Sequence, residues 1–149
     1  MEARKSLNLL AKQGDFVNAL NASSGFTRET RWFDGSIVIE VDMQRLWLKV
    51  YRGKVIDAMG MIPPFGATIS ISGSAQAWEW LCSGERMFTD LVAAGSRHLT
   101  SYDDPTSEGG GLRPPELAIG GNGFEAGRIH IGLRDLCSVF ASTYGPNAP

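Results

Sequence analysis

From Trp32 onward the spacing of apolar residues shifts to a period of two. In "GSIVIEVD", Ile37, Ile39 and Val41 fall on one side and Val38, Glu40 and Asp42 on the other, which is how a pleated strand sorts its side chains. After a turn at 42–44, "RLWLKVYRG" sets Leu46, Leu48 and Val50 against Arg45, Trp47, Lys49 and Tyr51. Arg52, Gly53 and Lys54 make the next turn, and "KVIDAMGM" continues as a bent strand. "PPFG", 63–66, breaks the pattern, and "ATISISGS" resumes it with Ala67, Ile69 and Ile71 on the apolar side. Short connections predict antiparallel pairing of successive strands. The meander so formed has one apolar face, which needs a cover.

Helical spacing supplies that cover. Residues 3–13 place Ala3, Leu7, Leu10 and Ala11 on one face, with Gly14 as the stop. Asp15 then caps a second short helix bearing Phe16, Val17 and Leu20, and "NASSG", 21–25, reads as loop. Ser74 is the N-cap of "AQAWEWLC", whose buried face is Trp78, Leu81 and Cys82, and Gly84 ends it. Trp78 and Trp80 stand two positions apart, so one of them must face away from the core. "RMFTDLVAAG" is another short helix with Phe88, Leu91 and Val92 together, closed by Gly95. Residues 96–115 are polar and rich in glycine and proline, a long loop of the kind that is often functional. "ELAIG" is the last strand. "FEAGRIHIGLRDLCSVFAS" is a closing helix with Ile129, Leu133, Leu136 and Phe140 in register. The sum predicts an α+β fold: a largely antiparallel sheet with helices on one face. The 149 residues read as a single domain, with 1–31 as an N-terminal helical segment.

Composition narrows the functional classes. The chain is 43% hydrophobic and 20% charged, which suits a soluble globular protein. Its formal charge is −2 with no basic stripe, so a nucleic-acid partner has no electrostatic footprint. No apolar run reaches the roughly 20 residues that span a bilayer. The N-terminus lacks the apolar core and cleavage site of a signal peptide, and the expectation is a cytoplasmic protein. Cys82 and Cys137 lie in apolar helical contexts and read as small core residues. Two cysteines so far apart do not make a zinc site.

One stretch invites a nucleotide reading. In "ELAIGGNGFEAGR", Gly121, Gly123 and Ala126 fit the spacing G-x-G-x-x-A, which cradles a pyrophosphate. That fingerprint belongs to a βαβ unit of roughly 30 residues with an acidic residue about 20 positions further on. Too few residues follow Ala126 for a second parallel strand. The glycines read instead as a sharp strand-to-helix turn, with Gly121 expected at positive φ.

Catalytic chemistry finds little footing. His98 stands near Tyr102, Asp103 and Asp104, a set able to do acid–base work, although the segment also reads as a solvated loop, and that reading is preferred. His130 reads as a packing or surface residue. Asp103, Asp104 and Glu108 lack the ligand spacing of a calcium loop, and no cofactor or metal is expected. "MGMIPPF", 59–65, is apolar and irregular: a pocket rim, a dimer contact or a buried connection.

Several stretches together resemble a known family, the sterol-transfer domain of sterol carrier protein type two and its bacterial relatives. They are the opening strand "WFDGSIVIEV", the hairpin ending in "RGKV", the strand that runs into a helix in "ATISISGSAQAWEWLCSG", the helix "FTDLVAAG", and "ELAIGGN" before the last helix. The likeness covers residues from about 32 to 140. It implies a five-stranded sheet with helices enclosing an apolar tunnel, and a hydrophobic cargo such as a lipid, a sterol or a fatty acyl chain. The favoured expectation is therefore a non-enzymatic carrier with an apolar pocket between sheet and helices. Its candidate lining is Trp47, Met59, Met61, Phe65, Trp78, Phe88, Leu133 and Phe140. Two alternatives stay open. One is a small-molecule enzyme using His98, Tyr102 or Asp103 on the 96–115 loop. The other is an interaction module that forms a homodimer.

Overall fold

The computed structural model describes residues 7–92 and 116–145. Five strands form its sheet: β1 (Asp34–Val41), β2 (Gln44–Tyr51), β3 (Lys54–Met59), β4 (Ile69–Gly73) and β5 (Leu117–Gly121). Their order across the sheet is β3-β2-β1-β4-β5. β1, β2 and β3 are the expected meander, paired antiparallel with Ile37 opposite Leu48 and Val50 opposite Val55. The turn between β2 and β3 has positive φ at both central residues, Arg52 (48°) and Gly53 (87°), the twist that suits a two-residue hairpin.

The fourth strand departs from the meander. β4 crosses to the free edge of β1 and pairs with it in parallel, Ile37 opposite Ile69 and Ile39 opposite Ile71. β5 then adds antiparallel to β4. The sheet is mixed and still largely antiparallel. Parallel neighbours need a crossover rather than a hairpin. Residues 60–68 provide it, spanning about 14 Å at the usual strand spacing, well within reach of an extended segment of that length.

The helices are α1 (Gln13–Ala22), α2 (Ser24–Glu29), α3 (Ala75–Ser83), α4 (Phe88–Val92), α5 (Gly123–Arg128) and α6 (His130–Tyr144), preceded by a 3-10 turn at Leu9–Lys12. Three local expectations need correction. The chain does not pause at Gly14, which lies inside α1. "NASSG" is not a loop: the Ser23 hydroxyl accepts from the Phe26 amide at 3.2 Å and starts α2, because serine is as good an N-cap as a loop residue. The closing helix is two helices, divided at the buried Ile129 (φ −111°, ψ 27°). Gly127 just upstream weakens helical continuation.

The core lies between the sheet and these helices. Ile37, Ile39, Val41, Leu46, Leu48, Val50, Ile69 and Ile71 are fully buried on the inner face. Phe16, Phe26, Trp78, Leu133, Leu136 and Phe140 meet them from the helices. Phe140 is the hub, with ring centroids 4.6 Å from Trp78, 4.5 Å from Tyr144 and 5.7 Å from Phe16. Trp78 Nε1 donates to the Glu40 carbonyl at 2.9 Å and ties α3 to β1. Ser74 caps α3 as expected, and Gly84 ends it at φ 83°. The outer edge of β3 is covered too. The Asn21 amide on α1 accepts from Val55 N at 2.7 Å and donates to Val55 O at 3.1 Å, which blunts that edge against pairing with another chain. At the far edge, Gly121 has φ 89°, and a Cβ there would run into the Thr68 carbonyl, so the glycine is required.

Candidate functional site

A groove of about 510 Å³ opens where α3, α4 and α6 meet. Its floor is apolar: Leu81 from α3, Phe88 from α4, and Cys137 and Ala141, one turn apart on α6. Its rim is polar. Arg86 is paired with Glu116 and lies 3.6 Å over the Trp80 ring. Arg134 is exposed and makes no ion pair among the described residues. Thr89, Asp135 and Ser138 complete the polar rim, and an apolar floor under polar groups is a usual make-up of a small-molecule site.

Burial holds the two thiols in their protonated form. Burial, and next the charge of Glu79, pushes the Cys82 thiol up to about 12. Burial drives Cys137 higher still. Both stay protonated at neutral pH, and the thiolate is the reactive form. Among the described residues no group of three or more His, Cys, Asp or Glu could hold a metal ion, and no helix is long and apolar enough to cross a membrane.

The structure divides the sequence-predicted lining residues into two groups. Phe88 lines the groove. Trp78, Leu133 and Phe140 are fully buried beneath it, filling the layer between sheet and helices rather than bordering an opening. Trp47, Met59 and Phe65 gather on the opposite face of the sheet. Trp47 pairs across strands with Met59, and its ring centroid is 5.9 Å from that of Phe65. Met61 is 64% exposed. One pocket shared by all eight is therefore corrected: Trp47 alternates with Leu46 and Leu48, and those two face the helices. The groove floor at Cys137 and Ala141 escaped sequence reasoning, although Cys137 shares a helical stripe with Leu133.

The remaining candidates are placed as follows. His98, Tyr102 and Asp103 lie outside the described residues. His130 is exposed at the start of α6, its ring 5.6 Å from that of Phe88. Trp80 is the less buried of the two α3 indoles: it packs at the edge of the core, half-buried under Arg86. The glycine motif holds no phosphate cradle. β5 runs antiparallel to β4, so no βαβ unit exists there, and Asn122 Oδ1 takes the amide of Glu125 at 3.0 Å.

Solved structures share this architecture. The chain aligns with the crystal structure of sterol carrier protein 2 at a TM-score of 0.58 and 14% identity, over 87% of this chain and 92% of that one. It aligns with the solution structure of a conserved hypothetical protein from Thermus thermophilus, itself suggested to be a sterol carrier protein, at a TM-score of 0.60 and 13% identity. That match covers 99% of this chain and 96% of the other. No family model matches the chain, and no curated protein matches it. The resemblance read from the sequence holds at the level of fold: the chain has a sterol-carrier-like α+β fold.

Proposed function

We propose that the protein binds and carries a hydrophobic small molecule of the lipid, sterol or fatty acyl type, held in the groove between α3, α4 and α6. The observation that carries this reading is the apolar floor of Leu81, Phe88, Cys137 and Ala141 at the junction of three helices. The likeness to a structure described as sterol carrier protein 2 supports it. Burial of an apolar chain would drive binding, at about 25 cal/mol per Å² removed from water, less the cost of ordering.

Native mass spectrometry of protein purified from cells, with titration of a fluorescent anthroyloxy fatty acid, tests the proposal. A co-purifying lipid and saturable probe binding are expected. Ala141→Phe, placed at the half-buried floor, should weaken probe binding roughly tenfold, equivalent to about 1.4 kcal/mol, while leaving the melting temperature close to wild type. A folded Ala141→Phe protein with unchanged affinity would overturn the assignment to this groove.

A further inference from the structure

On the sheet face turned away from the helices, β1, β2 and the 65–68 segment enclose a cleft of about 530 Å³. Trp47 lines it. This side chain is 3% exposed, and its indole Nε1–H is buried with no acceptor among the described residues. A buried donor without a partner is costly, so such groups are uncommon in finished structures. Trp78, the other deeply buried indole, shows the usual solution in its bond to the Glu40 carbonyl. Phe65 lies edge-on to Trp47 and yet is 79% exposed, a large aromatic at the mouth of the cleft. Pro63 and Pro64 precede it, and Gly66 at φ 83° follows. The charged residues lining the cleft are Asp34 and Lys49, already paired at 2.8 Å.

We propose that this cleft is a second ligand site, which takes a neutral apolar molecule bearing a carbonyl oxygen. The carbonyl accepts from Trp47 Nε1, and the apolar body lies between Trp47 and Phe65. Three features select that chemistry. The orphan donor requires an acceptor. The Asp34–Lys49 pair leaves the lining with no net charge to draw in a carboxylate or an amine. The aromatic walls favour an apolar body, and the volume suits a small molecule. The sheet separates this cleft from the helix-side groove, so neither reading depends on the other.

The test is a titration of ¹⁵N-labelled full-length protein with acetophenone, and with ethylbenzene as the same shape without the oxygen. The protein has four tryptophans, and the Trp47 indole signal is assigned through bonds in the wild type and confirmed by its loss in Trp47→Phe. Acetophenone should shift that signal downfield and saturate it; ethylbenzene should not. Benzoate should bind at least about tenfold more weakly than acetophenone. Phe65→Ala should weaken acetophenone binding, and Ala141→Phe should leave it unchanged. A stationary Trp47 signal, or equal shifts with ethylbenzene, would overturn the site. Benzoate binding as well as acetophenone would overturn its preference for neutral ligands.

Discussion

The two faces of the sheet are built on opposite plans. The inner face is apolar and covered: its central strand residues are fully buried, and α1, α2, α3 and α6 pack over them. The outer face is polar, with cross-strand ion pairs Glu40–Arg45 and Asp34–Lys49, each at 2.8 Å. An apolar patch on it, Val38, Trp47 and Met59 with Phe65 over them, stands apart from the main core. On the inner side every large ring has neighbours and the Trp78 indole has its acceptor. On the outer side a buried indole has none, and a phenyl ring stands in solvent. Stability is concentrated on the first face, while unmet interaction capacity is left on the second.

Truncations should show that asymmetry directly. Phe140→Ala, at the centre of the inner cluster, should cost about 3–5 kcal/mol in urea unfolding, as large cavities do. Gly121→Val acts where β5 leaves the sheet for the helices. A positive φ and a clash with the Thr68 carbonyl should together cost about 2–4 kcal/mol, and an unchanged melting temperature would show the glycine to be dispensable. Phe65→Ala, exposed on the outer face, should stay within about 0.5 kcal/mol of wild type. If Phe140→Ala and Phe65→Ala cost the same, the contrast between the faces fails.

A pH series sharpens the comparison more gently. Cys82, Cys137 and Tyr144 sit under the helical cover, and burial raises all three above their ordinary values, Cys82 to about 12. Tyr144 also donates its hydroxyl to the Leu9 carbonyl at 2.6 Å. Groups whose folded pKa lies above the unfolded one stabilise fully below the unfolded pKa, and that stability is lost as pH rises through the folded value. For the thiols the unfolded value is 9.0, so the melting temperature should fall as pH climbs from 9 toward 12. Replacing Cys82 with Ala and Tyr144 with Phe should flatten that fall by a few degrees. An identical slope in the double variant would place the titrating groups elsewhere.

Much of the fold was readable from short segments. The alternation in 34–51 correctly sorted Leu46, Leu48 and Val50 from Trp47 and Lys49. Ser74 marked the start of α3 and Gly84 its end, and Gly121 has the positive φ expected of it. These features depend on neighbours within a few residues, so local chain chemistry decides them. The candidate site was less legible. Of the eight residues expected to line a pocket, Phe88 borders the groove, whereas Cys137 and Ala141 reach it only because α4 lies across α6.

Pairing between distant segments followed a different logic. Nothing in "ATISISGS" distinguishes a strand that extends the meander beside β3 from one that crosses to β1, because the alternation is the same in both. In the folded sheet α1 occupies the outer side of β3 through Asn21, and the backbone groups of β1 on its other edge are paired by β4. In the same way, periodicity assigned Trp47 to a face, but only the assembled sheet brought it against Met59 and Phe65 and left its N–H without an acceptor. Side-chain direction is a property of the local backbone, whereas partners are a property of the whole packing, and both candidate sites depend on partners.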